Sequence, residues 1–436
     1  MTSDLVARDA RSLWHPYTQH GVDPEPLPVA SARGAWLTLT DGRRILDAIG
    51  SWWTCLHGHG HPRIVRAIAE QAERLDHVLF AGCTHAPAVE LAERLLALAP
   101  PGLARVFYSD DGSTAVEVAL KAAYLHWVRR GQPERTTFVA LEGGYHGDTF
   151  GSMAAGDPDP FFADLAPFLF RVERVPPSLE GASDLLERLS GRVAALVIEP
   201  LVQGAAGMRI QPDRTVREAR ALADRHGLLL VADEVLTGFG RTGEVFACGR
   251  AGVAPDLLCL AKGLTGGALP LAATLATEAV YASFLAPDRR KAFFHGHSYT
   301  ANPIGCAAAL ASLDLLEAED TPGRLDAIGR AIEDDLRPLA GVPGVKEVRR
   351  IGGIVAVELE SDSGAGYLSD LGPRLRIASR KGDVLLRPLG NVLYAVPPSC
   401  TTREECGSIA GAIDAACRMA LRDPGPRTAP PTPEDG

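Results

Sequence analysis

Lys262 closes the apolar run in PDLLCLAKGLTGG, and Asp233 closes the one in LLLVADEVLTGFGRTG. Each is an ionisable side chain placed where a buried strand would stop. A lysine there, among small residues, is partly desolvated, and the loss of water disfavours its ammonium and frees the amine to attack a carbonyl. Gly263, Gly266 and Gly267 leave room for a ligand near the backbone. A lysine reaching from a sheet edge to water fits the same pattern. Asp233 narrows the choice, because a buried carboxylate needs a cationic partner. A protonated ring nitrogen is one such partner; a magnesium ion and a helix N-cap role are the other readings. The Asp233-Glu234 pair also fits a nucleotide-hydrolysing site, but no G-x-x-x-x-G-K-[ST] run occurs.

Three further segments carry polar groups to chain turns. SDDGSTAVEVALKAA places Gly112, Ser113 and Thr114 at the start of a helix. Free N–H groups, the helix dipole and hydroxyls favour a phosphate there, and the same residues also make an ordinary N-cap. EGGYHGDTFGSM follows the run TTFVAL; Tyr145 offers a flat face to a ring and His146 a polar handle, with a surface turn as the alternative. In FFHGHSYTANPIGCAAA, Ser298 and Thr300 are hydroxyl donors ahead of a helix from about Pro303. The pair His295 and His297, and the trio His57, His59 and His61, lack the other ligands of a zinc site, so no metal is expected.

These residues need a scaffold. Residues 34–53 read as a hairpin turning at Asp41-Gly42, followed by helical patterns at about 62–75 and 87–98. Apolar runs at 105–109, 136–141, 194–200, 228–235, 256–263 and 272–277 then alternate with helical stretches such as 113–130 and 214–226. The alternation predicts an α/β fold with a mostly parallel sheet covered on both faces, which binds ligands at its strand ends. After about Glu317 the pattern changes: a helix at 323–339, strand-like IVAVELE, a helix near 368–381, the strands VLLRP and VLYAVP, and a helix over 402–421. We read residues 61–317 as a large domain and 318–422 as a smaller α+β domain joined by the N-terminal segment 1–60, since a lone hairpin cannot bury a core. The proline-rich tail 423–436 is expected to be disordered.

Bulk properties set outer bounds. The chain has 436 residues and a net charge of −10, which gives no electrostatic basis for binding nucleic acid or an anionic membrane. Eight scattered cysteines without a C-x-x-C pair, together with the absence of a signal peptide or a long apolar span, predict reduced thiols in the cytoplasm.

Taken together, these motifs in this order resemble the class III aminotransferases, which have the type I fold of enzymes using pyridoxal 5′-phosphate (PLP). The resemblance covers nearly the whole chain. It implies that Lys262 bonds PLP and is the catalytic lysine, that Asp233 pairs with the ring nitrogen, that Gly112 and Ser113 hold the phosphate, and that Tyr145 stacks on the ring. Gly296, His297 and Ser298 correspond to a loop that reaches the cofactor and substrate of the other subunit in a homodimer. Many members have G-P-T there; His297 and Ser298 depart from it, with the hydroxyl kept. LWHPYTQH and GSWWTCLHGHGHP resemble the branch of the family that aminates 8-amino-7-oxononanoate to 7,8-diaminononanoate in biotin biosynthesis. That implies that Tyr17 binds substrate and takes part in catalysis, that Trp52 and Trp53 line the substrate pocket with Tyr145, and that Arg387 receives the substrate carboxylate with Tyr394 near it. S-adenosylmethionine is the implied amino donor and lysine the alternative. Another ω-amino acid aminotransferase, an aminomutase and a nucleotide-binding dehydrogenase are the rival readings; the last lacks a G-x-G-x-x-G after a first strand.

Overall fold

In the computed structural model, residues 2–157, 161–361 and 366–422 are described. The tail expected to be disordered lies outside them. The polar opening folds as a helix, Thr2–Ser12, that the sequence reading did not anticipate. Three strands follow, β1 (Val29–Arg33), β2 (Trp36–Leu39) and β3 (Arg44–Asp47), with the β2–β3 hairpin turning at Asp41-Gly42 as expected. The strand stops at Asp47, short of the expected residue 53. Gly50, Ser51, Trp52 and Trp53 instead form a left-handed turn, with φ of 54°, 44°, 68° and 72°. Left-handed backbone costs about 1–2 kcal/mol per non-glycine residue, so something must hold it. The Asp47 carboxylate accepts from Ile49 N and Ser51 Oγ at the start of the turn, and the buried Arg241 guanidinium donates to the carbonyls of Trp53 and Cys55 at its end.

The large sheet is built from β4 (Leu103–Ser109), β5 (Thr137–Leu141), β6 (Val172–Val175), β7 (Val193–Ile198), β10 (Leu229–Asp233), β11 (Leu257–Leu260) and β12 (Ala272–Thr277). A two-residue ribbon, β8 (Val202–Gln203) with β9 (Arg209–Ile210), stands beside it. The order across the large sheet is β4-β12-β11-β10-β7-β5-β6. Only β12 runs against its neighbours, so the other six strands end along one edge. The edge strand β6 escaped the sequence reading because VERV is short and carries two charges at its centre. Helix Gly112–Arg129 crosses one face and buries Ala115, Val116, Ala119 and Ala123; Asp111 and Thr114 close its N-terminus as a reciprocal capping box.

The C-terminal part has a three-stranded antiparallel sheet of β13 (Val345–Ile351), β14 (Ile354–Leu359) and β16 (Val392–Ala395). Between them in the chain, β15 (Val384–Leu385) leaves that sheet and pairs in parallel with β3, Val384 opposite Leu46. Leu46 and Ala48 then share one apolar cluster with Val355, Leu375 and Ile409. The N-terminal hairpin thus buries its inner face against the C-terminal elements. Among the described residues, no helix is long and apolar enough to cross a membrane.

Candidate active site

Five parallel strands deliver their C-terminal ends to one place. After β4 comes Asp110–Ser113, after β5 Tyr145–Gly147, after β7 Glu199, at the end of β10 Asp233, and after β11 Lys262; all line a cavity of about 390 Å³ together with Trp53. Asp233 is buried, and each of its oxygens has one partner. One oxygen accepts from Val235 N at 3.0 Å and the other meets His146 Nδ1 at 2.7 Å. Burial works against the His146 imidazolium, but the hydrogen bond and charge of Asp233, helped by Glu199, outweigh it and raise its pKa. Lys262 sits in a tight turn with φ of 44°. Its Nζ has no hydrogen-bond or ion-pair partner among the described residues and stands 4.4 Å from the centroid of the Trp53 indole. Burial pulls the ammonium down to about 8, against the raising pull of Asp233 and Glu199.

Ser113 Oγ faces the 145–148 loop and accepts from Asp148 N at 3.1 Å. That approach requires glycine at 147: φ is 123°, and a Cβ there would fall 2.1 Å from Ser113 Oγ. Thr114 is not free for a ligand, because its hydroxyl donates to Asp111 O and accepts from Asp111 N in the helix cap. The donor set fits PLP. An amine without a partner, a buried carboxylate–imidazole pair and a helix N-terminus with a serine hydroxyl face one cavity and match an aldehyde, a ring nitrogen and a phosphate.

The N-terminal residues divide. Tyr17 Oη donates to Asp148 Oδ1 at 2.7 Å, and Tyr145 Oη, 3.2 Å from Tyr17 Oη, donates to the same oxygen at 2.9 Å. Burial first, then the neighbouring phenol and carboxylate, shifts the Tyr145 phenol above its usual range; burial and Asp148 do the same to Tyr17. Trp53 is buried at 5% exposure and donates from Nε1 to Tyr394 Oη at 3.1 Å, whereas Trp52 is 37% exposed and meets the Tyr17 ring edge-on at 5.6 Å. Arg387 lies 4.6 Å over the Trp52 ring and donates to Tyr17 O at 3.3 Å. Tyr17, Trp52 and Arg387 line a second cavity of about 690 Å³, which adjoins the first along the Ser51–Thr54 turn.

Gly296, His297 and Ser298 line neither cavity of their own chain. Gly296 and Ser298 are exposed. His297 donates its backbone N–H to Thr300 Oγ1 at 2.9 Å, and its Nδ1 lies 2.9 Å from the Asp110 carboxylate without hydrogen-bond geometry. Of the other histidines, His57 meets Ser312 Oγ and His59 pairs with Asp47. No group of three or more metal-ligating side chains forms among the described residues, and all eight cysteines are free thiols.

Three site residues were missed from sequence. Glu199 follows the strand AALVI just as Asp233 follows LLLVA, so the same strand-end rule could have found it. Asp148 lies two residues after His146, in a loop already singled out. Arg241, in GFGRTG, gives no local signal, because an arginine among glycines reads as a surface residue.

A parallel sheet with a lysine and an aspartate at adjacent strand ends is the architecture of the PLP fold type I enzymes. The chain belongs to the class-III aminotransferase family, whose profile it matches over residues 17–417, and it is an aminotransferase. It is similar to the adenosylmethionine-8-amino-7-oxononanoate aminotransferase of Synechococcus elongatus, with 50% identity over 92% of this chain and 97% of that one. The protein of the same description from Geobacter sulfurreducens is 44% identical over 93% and 95% of the two chains. Among solved structures, the adenosylmethionine-8-amino-7-oxononanoate aminotransferase of Methanocaldococcus jannaschii superposes with a TM-score of 0.91 at 36% identity, covering 95% of this chain and 99% of its own. An amine transaminase from an uncultivated Pseudomonas species, solved in a PLP-bound form, gives 0.87 at 36% identity, over 93% and 98%.

Proposed function

We propose that the protein transfers an amino group from S-adenosylmethionine to the ketone of 8-amino-7-oxononanoate, giving 7,8-diaminononanoate, with PLP as cofactor. The observation that carries the choice of acceptor is the two-part site: Lys262 lines one cavity, Arg387 lines the adjoining one, and the Trp52-Trp53 turn stands between them. A long acid whose ketone is far from its carboxylate suits that division. The similarity to relatives of that description supports the same acceptor and donor.

When bound, PLP supplies an electron sink for negative charge on the substrate carbon. Asp233, oriented by His146, is the carboxylate that would face its ring nitrogen, and Gly112 and Ser113 would hold its phosphate. Lys262 Nζ, with its pKa near 8, takes the proton from the donor carbon and returns one to the acceptor carbon. Trp53 lies against Lys262 Nζ and walls it on one side. Arg387 binds the substrate carboxylate with parallel N–H donors, and Tyr17 closes the pocket from the N-terminal arm.

We further read the enzyme as a cytoplasmic homodimer with 61–317 as its cofactor domain. In that reading Gly296, His297 and Ser298 serve the neighbouring subunit; in their own chain they line neither cavity, although His297 stands beside Asp110 at the rim of the first.

The test is a half-reaction. Protein loaded with PLP is mixed with S-adenosylmethionine or with lysine, and the cofactor's visible absorbance is followed before the acceptor is added. Bleaching by S-adenosylmethionine and recovery on adding 8-amino-7-oxononanoate is expected. Bleaching by lysine alone overturns the donor, and no recovery overturns the acceptor. Lys262→Ala should abolish borohydride trapping of PLP and lower turnover by about 1,000-fold or more.

A further inference from the structure

Glu199 has no part in the assignments above, yet it is a buried carboxyl on the wall of the Lys262 cavity. Its two oxygens do different jobs. One accepts from Tyr145 N at 3.0 Å and the other from Gly204 N at 3.0 Å. Tyr145 and Glu199 rise from the ends of β5 and β7, which are paired neighbours, Val139 opposite Leu196. Gly204 begins the next turn of chain, under the Trp53 indole. A Cβ there would lie 2.5 Å from Leu236 and 3.3 Å from the Trp53 ring, so the backbone at this point is itself the surface on which that ring rests. Trp53 in turn lies against Lys262 Nζ.

We infer that Glu199 is a positioning residue, one carboxylate that ties the Tyr145 loop to the Trp53 platform and so sets the two walls between which Lys262 works. This inference rests on the PLP reading of the cavity. The charged and titratable groups facing Glu199 are His146, Asp233 and Lys262. Burial pushes its carboxyl up to about 7, with Asp233 adding to the rise and His146 and the two backbone N–H groups opposing it. Its anion is one of the two charges that support the Lys262 ammonium against burial. A role confined to packing would not link Glu199 to the basicity of Lys262.

The experiment uses Glu199→Gln and Glu199→Asp beside the wild type, each with two readouts. The first is the pH midpoint for acetylation of Lys262 by acetic anhydride in cofactor-free protein, located by peptide mass spectrometry. The second is the PLP dissociation constant. In Glu199→Gln the amide NH₂ must oppose one of the two backbone N–H groups, and the charge is gone. The Lys262 midpoint should fall by about one pH unit and PLP affinity by about tenfold. Glu199→Asp keeps the charge but shortens the reach, so the midpoint should hold while PLP binding weakens. Wild-type values of both readouts in Glu199→Gln overturn the inference. Should Glu199→Gln not fold, wild-type PLP affinity in Glu199→Asp overturns it. A wild type that binds no PLP would end the cofactor reading instead, and the Lys262 midpoint in cofactor-free protein would still measure Glu199.

Discussion

Tyr17 and Tyr145 meet phenol to phenol at 3.2 Å, and both donate to one oxygen of Asp148. The two tyrosines are 128 positions apart. Their contact fastens the N-terminal arm to the loop that follows β5 of the large sheet.

Tyr17→Phe removes one of the two donors to Asp148 and leaves Tyr145 in place. A hydrogen bond to a charged group is worth about 1.5–3 kcal/mol, so kcat/KM for 8-amino-7-oxononanoate should fall by about 10- to 100-fold. The bond is made in the ligand-free protein as well, so the melting temperature should also fall. Steady-state kinetics with a melting scan separate the two effects; unchanged kinetics would remove Tyr17 from the site.

Arg387 is held by the Trp52 face and by Tyr17 O, and it lines the second cavity. Arg387→Met should raise KM for the carboxylate-bearing acceptor by about 10- to 100-fold and change kcat far less, the signature of lost ground-state binding. Arg387→Lys should recover only part, since an ammonium cannot present the planar fork. A loss confined to kcat would contradict this role.

Arg241 is among the largest fully buried side chains and donates to the carbonyls of Trp53, Cys55, Val396 and Pro397. Burial, only partly offset by Cys55 and Asp47, lowers its pKa to about 10, so it stays charged at neutral pH. Arg241→Met leaves four carbonyl contacts without their donor and releases the left-handed turn. We expect a loss of about 3 kcal/mol or more in urea unfolding, with a red-shifted tryptophan emission as Trp53 becomes wetted.

His57 is buried against Ser312, and burial, with the charges of His61 and Arg241 behind it, depresses its pKa to about 3. The unfolded chain binds a proton near pH 6.5 that the folded chain refuses. Between about 6.5 and 3 the unfolded state therefore binds more protons, and stability falls as pH falls, by about 1.4 kcal/mol per pH unit for this one group. His57→Gln should flatten that acid slope relative to wild type in unfolding curves taken from pH 7 to pH 4. Parallel slopes for the two proteins would show that His57 is not responsible.

The strand ends were legible because their code is local. Lys262 and Asp233 each follow a run of apolar residues long enough to be a buried strand, and an ionisable group at such an end has few innocent roles. Gly112 and Ser113 were legible for a similar reason, since capping chemistry is written within four residues. Thr114 shows the limit of that reading: the same local code spends its hydroxyl on the helix cap and not on a ligand. The strands VERV and VKEVRRI were hidden by charges at positions that the fold leaves partly exposed.

By itself the sequence determined the alternation of strands and helices, the edge of the sheet that holds the chemistry, and the residue types gathered there, because each depends on periodicity and on near neighbours. Only the tertiary structure decided which of those residues meet. Trp52 and Trp53 are adjacent in the chain, yet one faces Tyr17 and the other Lys262, because Arg241 and Asp47, both distant in sequence or hidden in a strand, hold the backbone between them left-handed. Glu199 links Tyr145 to Gly204 only because β5 and β7 lie side by side. Contacts between residues a hundred or more positions apart are set by the sheet order and the packing of the apolar clusters, and no local pattern encodes them.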